Sequence, residues 1–523
     1  MAETVFAAFK EAAEQSGAAE FLVVPSEEVT LCYSAALRAV HQLVERYRDA
    51  GYGHGHRVAL LLENRPAFLL HWLALNSLGI AVVPINPFYR RRELAHLLSH
   101  SGVTLAVILG ERVEDVQVAN NIVAVMDVDE DEIPPSKTAP PLRTDPNGES
   151  LCGLLYTSGT TGEPKGCLLS NDYYLRMGRW YLALGGLCMI EPGKERLLTP
   201  LPLYHMNAMA CSFMAMVMSR GCLIQLDRFH PATWWKDVAG SGATIVHYLG
   251  VMPAILLGLE SCQAEQDHQV RFGFGANVDP VHHATFEARF GFPLIEAWAM
   301  TETGAGACIA ANQEPRHLGT RCFGKAKSCD VKIVDEDGDE VSTGEDGEML
   351  VRHNAEAPRA GFFSGYHGDE LASEQAWQGG WFHTGDVVRE GVDGYLHFVD
   401  RRKNVIRRSG ENIAALEVES MILELDWVAQ VAVIAAPDEL RGEEVMACIV
   451  PQSGAPHDEV FARQVSDWCL ENLSYYKAPG WVAFRETLPV TVTQKIQKAE
   501  LQMLGHNPAT LADCYDLRDR KRP

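Results

Sequence analysis

The chain has 523 residues, of which 47% are hydrophobic and 22% are charged. A single hydrophobic core stops growing at roughly 250–300 residues, so this length predicts at least two domains, and the apolar content excludes wholesale disorder. Asp and Glu outnumber Lys and Arg by 69 to 45, a net charge of −24, which disfavours nonspecific binding to nucleic acid or to anionic lipid.

The beginning of the chain, MAETVFAAFKEAAEQSG, mixes charged and apolar side chains and predicts an amphipathic helix, not a signal peptide. The most apolar stretch, 209–226, is interrupted by Arg220 and Gly221, whereas a membrane-spanning helix needs about 20 apolar residues in a row. It therefore predicts a buried helix followed by a buried strand. The 13 cysteines form no CxxC pair and indicate free thiols in the cytoplasm.

Short apolar runs of strand length alternate with helical-period segments, first at 57–62, 80–85 and 103–109, then at 244–248 and 293–296. This alternation predicts an α/β protein with largely parallel sheets that are buried on both faces.

The sequence pattern changes after these segments. Between residues 319 and 399, glycines and acidic turns separate short strands, which predicts a small antiparallel sheet or barrel. Beyond residue 400, strands at 428–435 and 445–450 accompany a helix at 461–473. We therefore expect one domain over 1–400 and a compact second domain over 401–523, with a hinge near 400–403.

Residues 154–170 read LLYTSGTTGEPKGCLLS, a strand followed by a loop that is rich in glycine and hydroxyl side chains and contains one lysine. Such a loop can hold phosphate through backbone N–H groups, hydroxyls and a cation, although an ordinary surface turn is the simpler interpretation. The P-loop of nucleoside triphosphatases requires Ser or Thr directly after its lysine, whereas Gly166 follows Lys165 here.

The loop YTSGTTGEPKG, at 156–166, resembles the signature loop of the adenylate-forming superfamily, which comprises acyl-CoA synthetases, peptide-synthetase adenylation domains and insect luciferases. The resemblance implies a large N-terminal domain of two doubly wound sheets plus a small β-barrel, and a small mobile α+β C-terminal domain. It also implies that the loop binds ATP through Thr157, Ser158, Gly159, Thr160, Thr161, Gly162 and Lys165.

Further motifs of the superfamily follow in order. PLYHMNA, at 202–208, resembles the segment whose histidine, here His205, lies beside the acyl pocket. Gly275, Ala276 and Asn277 correspond to the element that flanks adenine and the acyl group.

EAWAMTETG, at 296–304, resembles the motif in which an aromatic residue stacks on adenine, a threonine contacts the α-phosphate and a glutamate binds Mg²⁺. These roles correspond to Trp298, Thr301 and Glu302. Trp298 replaces the usual tyrosine and can still stack, whereas Ala299 replaces the usual glycine and adds a methyl group beside the acyl pocket.

The last motifs lie on both sides of the predicted domain boundary. In WFHTGD, at 381–386, Asp386 corresponds to the carboxylate that binds the ribose hydroxyls. In DRRKNVIRRSGENI, at 400–413, the resemblance places Arg401 on the ribose, Lys403 near the pivot, and Arg407 and Gly410 on the face used for thioester formation. In LPVTVTQKIQK, at 488–498, the catalytic lysine is Lys495, with Gln494 in place of the usual glycine; Lys498 is interpreted as an ordinary solvated lysine.

Together these motifs predict an AMP-forming acyl-CoA synthetase with ATP and CoA as co-substrates and Mg²⁺ as cofactor, most similar to the crotonobetaine/carnitine–CoA ligase-like branch. Taken singly, a histidine, a carboxylate at a helix start or a lysine would have an ordinary structural role. Their motifs make Lys495, Thr301, Glu302 and His205 the predicted catalytic residues.

The alternatives are a stand-alone ligase that loads a carrier protein and a non-catalytic nucleotide-binding regulator. The partner is a small carboxylic acid, and no coiled-coil heptad indicates an oligomer interface. The predicted acyl pocket, which suits a short or medium chain with or without a polar head, comprises His205, Met206, Asn207, Met252, Asn277, Trp298 and Ala299.

Overall fold

The protein is represented by a computed structural model, which describes residues 2–130, 132–157, 164–401, 405–452, 454–455, 457–489 and 498–522, with the backbone only at 400, 401, 499, 500 and 504. Contacts between residues divide the chain into two compact units. Unit 1 comprises Met1–Pro87, Leu98–Leu155 and Gly166–Asp400, and unit 2 comprises Phe88–Leu97, Tyr156–Lys165 and Arg401–Pro523.

An eight-stranded sheet carries the predicted acyl-pocket residues and the 296–304 motif, on its strands or on the loops that follow them. Its members are β1 (Glu20–Val24), β2 (Val29–Cys32), β9 (Arg196–Thr199), β10 (Cys222–Gln225), β11 (Ile245–Leu249), β12 (Phe272–Ala276), β13 (Leu294–Trp298) and β14 (Ile309–Ala310). In the order β14-β13-β12-β11-β9-β10-β1-β2, the six central strands are parallel and the two edge strands are antiparallel. Parallel strands need cover on both faces, and β10 is buried along its whole length.

A second, six-stranded sheet has the order β6-β5-β3-β4-β7-β8. Its strands are β3 (Arg57–Leu61), β4 (Ala81–Pro84), β5 (Leu105–Ile108), β6 (Ala124–Asp127), β7 (Leu151–Thr157) and β8 (Lys165–Ser170). The pairs β3/β4, β3/β5, β4/β7 and β5/β6 are parallel, and the strands predicted at 57–62, 80–85 and 103–109 are confirmed with slightly shorter bounds.

Helices connect these strands. They are α1 (Val5–Ser16), α2 (Tyr33–Asp49), α3 (Pro66–Ser77), α4 (Arg91–Ser101), α5 (Val113–Ala119), α6 (Asn171–Ala183), α7 (Met214–Ser219), α8 (Trp234–Gly240), α9 (Val251–Leu257), α10 (Pro280–Phe290) and α11 (Glu370–Gln375). The predicted N-terminal amphipathic helix is α1, which begins where the Thr4 hydroxyl accepts a hydrogen bond from the backbone N–H of Ala7.

The apolar stretch 209–226 is buried, as its composition predicts. It contains a π-helical segment, Asn207–Phe213, followed by α7 and then by β10. Arg220 ends α7 in the left-handed conformation with φ 59°, which explains why the interruption separates a helix from a strand. Among the described residues, no helix is both long enough and apolar enough to span a bilayer.

A five-stranded sheet follows in the order β15-β19-β18-β17-β16. Its strands are β15 (Cys322–Gly324), β16 (Asp330–Val334), β17 (Asp346–Arg352), β18 (Phe382–Glu390) and β19 (Leu396–Arg401). The pairs β15/β19, β16/β17 and β17/β18 are antiparallel, in agreement with the glycine-rich and acidic turns of the sequence.

The main segment of unit 2 has its own sheet and core. The sheet has the order β21-β20-β23-β24-β25, with β22 also paired to β23. Its elements are β20 (Val405–Arg408), β21 (Glu411–Ala414), α12 (Ala415–Ile422), β22 (Val428–Asp438), β23 (Gly442–Pro451), α13 (Glu459–Asn472), β24 (Trp481–Phe484), α14 (Lys498–Gly505) and β25 (Cys514–Asp516). The predicted fold class, α/β with a large N-terminal and a small C-terminal domain, is confirmed.

Candidate active site

Several of the site residues predicted in unit 1 lie at one edge of the eight-stranded sheet. Asn207 follows β9, Met252 follows β11, Asn277 follows β12, and Trp298 is the last residue of β13. These four strands are parallel, so their carboxyl ends share an edge. Ligands of open α/β sheets bind beyond the carboxyl ends of the strands, which makes this edge the candidate site.

A buried carboxylate, Glu296 on β13, supports the turn after β12. One of its oxygens accepts a hydrogen bond of 2.9 Å from the backbone N–H of Asn277, and the other accepts from the backbone N–H of Val278 at 3.0 Å and from the Tyr248 hydroxyl at 3.1 Å. Burial raises the pKa of Glu296. The two bonds from backbone N–H groups hold the turn, in which Asn277 has the left-handed conformation with φ 64°.

Close packing explains the glycine at the end of β12. A Cβ atom at Gly275 would collide with the backbone oxygen and the ring of Tyr248, so only glycine fits there. The neighbouring Ala276 is the last residue of the strand. Glu296 belongs to a predicted motif but had no predicted role; its position two residues before the aromatic residue of that motif was the available signal.

Trp298 makes a contact that the usual tyrosine of the motif does not predict. Its indole N–H donates a hydrogen bond of 2.9 Å to Oδ2 of Asp386, and both side chains are buried. The backbone N–H of Asp386 in turn donates to the Thr384 hydroxyl at 3.0 Å. The residue predicted to stack on adenine therefore orients the carboxylate predicted to bind the ribose.

Hydrogen bonds from several directions hold the loop after β13, where Thr301 and Glu302 lie. The Tyr173 hydroxyl donates to the backbone oxygen of Thr301 at 2.8 Å, and the backbone N–H of Phe363 donates to that of Glu302 at 2.9 Å. The Tyr366 hydroxyl donates to Oε1 of the buried Glu302 at 3.1 Å. Burial first, and the neighbouring Glu302 charge second, raise the pKa of Tyr366 well above its usual value, so it remains a donor.

The donor set around Glu302 fits the implied Mg²⁺. Magnesium at nucleotide sites is held by one or two carboxylates, while phosphates and water complete its coordination. Glu302 provides one carboxylate, and no group of three or more His, Cys, Asp or Glu side chains in the described part of the chain forms a complete metal site. ATP and water would therefore supply the remaining ligands. Tyr366 was not predicted from the sequence, because it lies 64 residues from its partner Glu302.

The remaining predicted pocket residues differ in exposure. Met252 is buried, His205 and Met206 are half-buried, and Ala299 is exposed. The backbone N–H of His205 donates to the oxygen of Pro202 at 3.1 Å, which closes the turn between β9 and the π-helical segment. Its ring lies 4.6 Å from the ring of Tyr204.

Arg407 and Gly410, predicted on the thioester face, lie on β20 and in the hairpin turn between β20 and β21, respectively. The two central residues, Ser409 and Gly410, have φ of 50° and 90°, as a two-residue type I′ turn requires. The backbone N–H of Ser409 donates to the oxygen of Arg441 at 3.0 Å. The backbone N–H of Arg407 donates to the Glu443 carboxylate at 2.6 Å.

A buried cluster of charged side chains underlies this hairpin. Arg408 donates to Oε2 of Glu444 at 2.8 Å, while Lys521 donates to Oε1 of Glu444 and, at 3.1 Å, to the backbone oxygen of Tyr476. The three side chains are at most 1% exposed. Burial lowers the pKa of Lys521 to about 7. The cluster links β20, β23 and the C-terminal residues of unit 2.

The other predicted residues lie at the borders of the described chain or beyond them. Thr157 ends β7, Lys165 begins β8, and Arg401 ends β19. The interpretation of Lys498 as a solvated lysine is wrong, because its Nζ lies 2.6 Å from Glu419 and its side chain is only 15% exposed. Outside the described residues lie Ser158, Gly159, Thr160, Thr161, Gly162, Lys403 and Lys495.

Known proteins resemble the chain over nearly its whole length. It is 29% identical to a sulfoacetate–CoA ligase of Cupriavidus necator over 495 residues, which cover 93% of this chain and 94% of that protein. It is 28% identical to a crotonobetaine/carnitine–CoA ligase of Citrobacter koseri over 496 residues, 90% of this chain and 92% of that protein.

Among solved structures, a double mutant of o-succinylbenzoate-CoA synthetase from Bacillus subtilis aligns with a TM-score of 0.81 at 25% identity, covering 95% of this chain and 98% of that chain. The family model of AMP-binding enzymes matches residues 9–367, and that of the AMP-binding enzyme C-terminal domain matches 417–495. The resemblance predicted from the ordered motifs is confirmed, and the chain belongs to the AMP-binding enzyme family.

Proposed function

We propose a residue-level mechanism for this chain, an ATP-dependent acyl-CoA ligase that forms an acyl-adenylate and pyrophosphate and then uses CoA to form an acyl-CoA and AMP. One observation carries the assignment of roles. Trp298 is hydrogen-bonded to Asp386 over 88 residues of sequence, and Thr301 and Glu302 lie three and four residues beyond Trp298. A side chain suited to adenosine, Trp298, and two side chains suited to phosphate and its metal ion, Thr301 and Glu302, thus lie within five residues of sequence.

In the first half-reaction, a carboxylate oxygen of the acid attacks the α-phosphorus of ATP. The new O–P bond forms as the bond to the pyrophosphate oxygen breaks, and no proton is transferred. Catalysis of such a step consists mainly of positioning two anions and stabilising the charge of the transition state. We assign Trp298 and Asp386 to binding of the nucleoside and Thr301 to contact with the α-phosphate. Lys165 and Lys495 are assigned to stabilising the negative charge of the transition state.

Bound Mg²⁺ would neutralise phosphate charge during this step. Glu302 would hold it, and the hydrogen bond from Tyr366 fixes the orientation of that carboxylate. Tyr366 is therefore a positioning residue in the proposed mechanism.

In the second half-reaction, the CoA thiol attacks the carbonyl carbon of the acyl-adenylate. A C–S bond forms, the C–O bond to AMP breaks, and the thiol proton is lost. We assign the hairpin with Arg407 and Gly410 to this step, and we place a hinge near 400–403 between domains 1–400 and 401–523. The division of contacts between Asp400 and Arg401 supports that boundary.

The 13 free thiols support a cytoplasmic location for the enzyme.

Separating the two half-reactions tests the proposal. Lys495→Ala is expected to abolish acid-dependent exchange of labelled pyrophosphate into ATP, yet still to form thioester from supplied acyl-AMP and CoA. Lys194→Ala, which changes a lysine with a 73% exposed side chain, is the control and should retain both reactions. Loss of both half-reactions in Lys495→Ala, or retention of both, would contradict the role given to this lysine.

A further inference from the structure

A buried network of uncharged polar side chains adjoins the predicted acyl pocket. Asn207 begins the π-helical segment, and its Oδ1 lies 2.8 Å from Nδ1 of His247 on β11. The Ser212 hydroxyl lies 2.9 Å from the same ring nitrogen, and the Tyr181 hydroxyl lies 3.0 Å from Nε2 on the other side of the ring. Tyr181, Ser212 and His247 are fully buried. The proposed mechanism uses none of these three residues.

The position of each proton in this network follows from the partners. Within the described residues, the Tyr181 hydroxyl bonds only to His247, and burial raises its pKa well above its usual value. A buried hydroxyl places its proton on an acceptor, so Tyr181 donates to Nε2 of His247. Burial also lowers the pKa of His247 to about 3, so the neutral ring carries its single proton on Nδ1.

The protonated Nδ1 determines the orientation of the Asn207 side chain. An N–H group at this position needs an acceptor, so it is the oxygen of the Asn207 amide that faces His247. The Ser212 hydroxyl donates to the backbone oxygen of Asn207 at 3.3 Å, which anchors the same residue. The amide NH₂ of Asn207 therefore points away from the network.

The outward NH₂ group is available to a ligand. No group in the described ranges accepts a hydrogen bond from it, and it is not among the buried atoms that lack a partner; the residue is half-buried. It lies beyond the carboxyl end of β9, at the sheet edge shared with Ala276 and Trp298.

We propose that Asn207 determines the specificity of the first half-reaction by donating a hydrogen bond to an oxygen acceptor in the acyl group of the acid. The inference rests on the proposed function, because it takes the segment 202–208 as a wall of the acyl pocket. A hydroxyl, carbonyl or anionic oxygen satisfies the NH₂ group, whereas a purely apolar chain removes it from water without a partner. The preferred substrates are therefore acids with an oxygen function beyond the reacting carboxylate.

Matched pairs of acids test this proposal. In each pair an oxygen function is replaced by a methyl-bearing carbon: 3-hydroxybutanoate and 3-methylbutanoate, 4-oxopentanoate and 4-methylpentanoate, 5-oxohexanoate and 5-methylhexanoate. The readout is kcat/KM for pyrophosphate exchange. In at least one pair, the oxygen-bearing acid is expected to be favoured by about fivefold or more, since an unpaired buried donor costs at least about that factor.

Asn207→Asp is the sharpest variant because it keeps the shape of the side chain and the acceptor for His247 but removes the outward donor. The ratio of kcat/KM for the oxygen-bearing acid to that for the apolar acid should fall to about one or below. Exchange with the apolar acid of the same pair reports whether the variant is folded and active, and Asn207→Leu gives the same loss of preference without adding a charge.

Tyr181→Phe tests the proton positions. It removes the donor to His247 and should reduce the preference a few-fold, with KM for ATP unchanged. Tyr174→Phe is its matched control, because Tyr174 lies on the same helix, is equally buried and has a hydroxyl that bonds to none of the residues the structure describes. This variant should retain the wild-type preference.

Three results would overturn the inference. The first is exchange that is equal or faster with the apolar acid in all three pairs, and the second is an unchanged preference in Asn207→Asp. Either result would show that Asn207 does not recognise the acyl group, while leaving the ligase activity established. A complete absence of exchange with all six acids would overturn the proposed reaction together with this inference.

Discussion

Two fully buried polar clusters of this protein differ in charge. In unit 1, Tyr181, His247 and Ser212 form a neutral network. In unit 2, Glu444 bonds both Arg408 and Lys521 in an ionic cluster. Moving an ion out of water costs several kcal/mol, whereas a neutral group loses little once it is hydrogen-bonded. The neutral network thus determines the direction of its hydrogen bonds at a small desolvation free energy. The ionic cluster links distant segments of the chain at a large desolvation free energy.

The ionic cluster has a clear structural consequence. Glu444 on β23 accepts from Arg408, which immediately precedes the turn of the Arg407–Gly410 hairpin, and from Lys521, near the end of the chain. Buried ion pairs are weak support for stability, because well-packed apolar side chains often replace them without loss. What the contacts show is that the cluster connects the first strand of this hairpin to β23 and to the C-terminal residues.

The largest effect is expected from removing the central anion. Glu444→Leu leaves Arg408 and Lys521 buried without a counter-charge and should lower the free energy of unfolding by about 3–5 kcal/mol. Urea denaturation followed by circular dichroism measures it. The triple variant Glu444→Leu, Arg408→Met, Lys521→Met should recover most of the loss. If Glu444→Leu alone were as stable as wild type, the removal of Glu444 would not leave an uncompensated buried charge, which would contradict this prediction.

The two clusters should also respond to different ranges of pH. Burial lowers the pKa of Lys521 from 10.5 to about 7 and that of His247 from 6.5 to about 3. Between its folded and unfolded pKa, each group binds more protons in the unfolded chain, so stability rises with pH across that range. Lys521 therefore makes the free energy of unfolding rise with pH between about pH 7 and 10.5, and His247 does so between about pH 3 and 6.5.

Urea denaturation at several pH values measures these contributions. From pH 7 to 9, Lys521 should add about 2 kcal/mol to the free energy of unfolding, because one pKa unit corresponds to about 1.4 kcal/mol. Lys521→Met should remove this increment without affecting the slope below pH 6.5, and His247→Gln should do the reverse. Equal slopes in wild type and both variants would contradict the comparison.

The smallest effect is expected from an exposed ion pair of unit 2. Glu459 and Arg463 lie one turn apart on α13, 2.6 Å from each other, with side chains 57% and 49% exposed. Glu459→Gln should change the free energy of unfolding by no more than about 0.5 kcal/mol, and less in 0.5 M NaCl. A loss as large as that of Glu444→Leu would show that burial does not distinguish the two pairs.

The sequence alone determined the strand positions and the family motifs of this protein. Strands β3, β4 and β5 are short, continuous apolar runs, a pattern that depends only on neighbouring residues and their need for burial. The roles of Trp298, Thr301 and Glu302 were predicted from the resemblance of one motif of nine residues to the superfamily.

The tertiary structure decided which of these residues act on one another. Trp298 meets Asp386 across 88 residues, Glu302 meets Tyr366 across 64, and Asn207 meets His247 across 40. Such pairs leave no periodic signal, since their proximity depends on how strands are ordered in a sheet. The direction of the Asn207 amide depends, in addition, on the proton at Nδ1 of His247. That proton is fixed because His247 is buried and accepts a hydrogen bond from Tyr181 at Nε2.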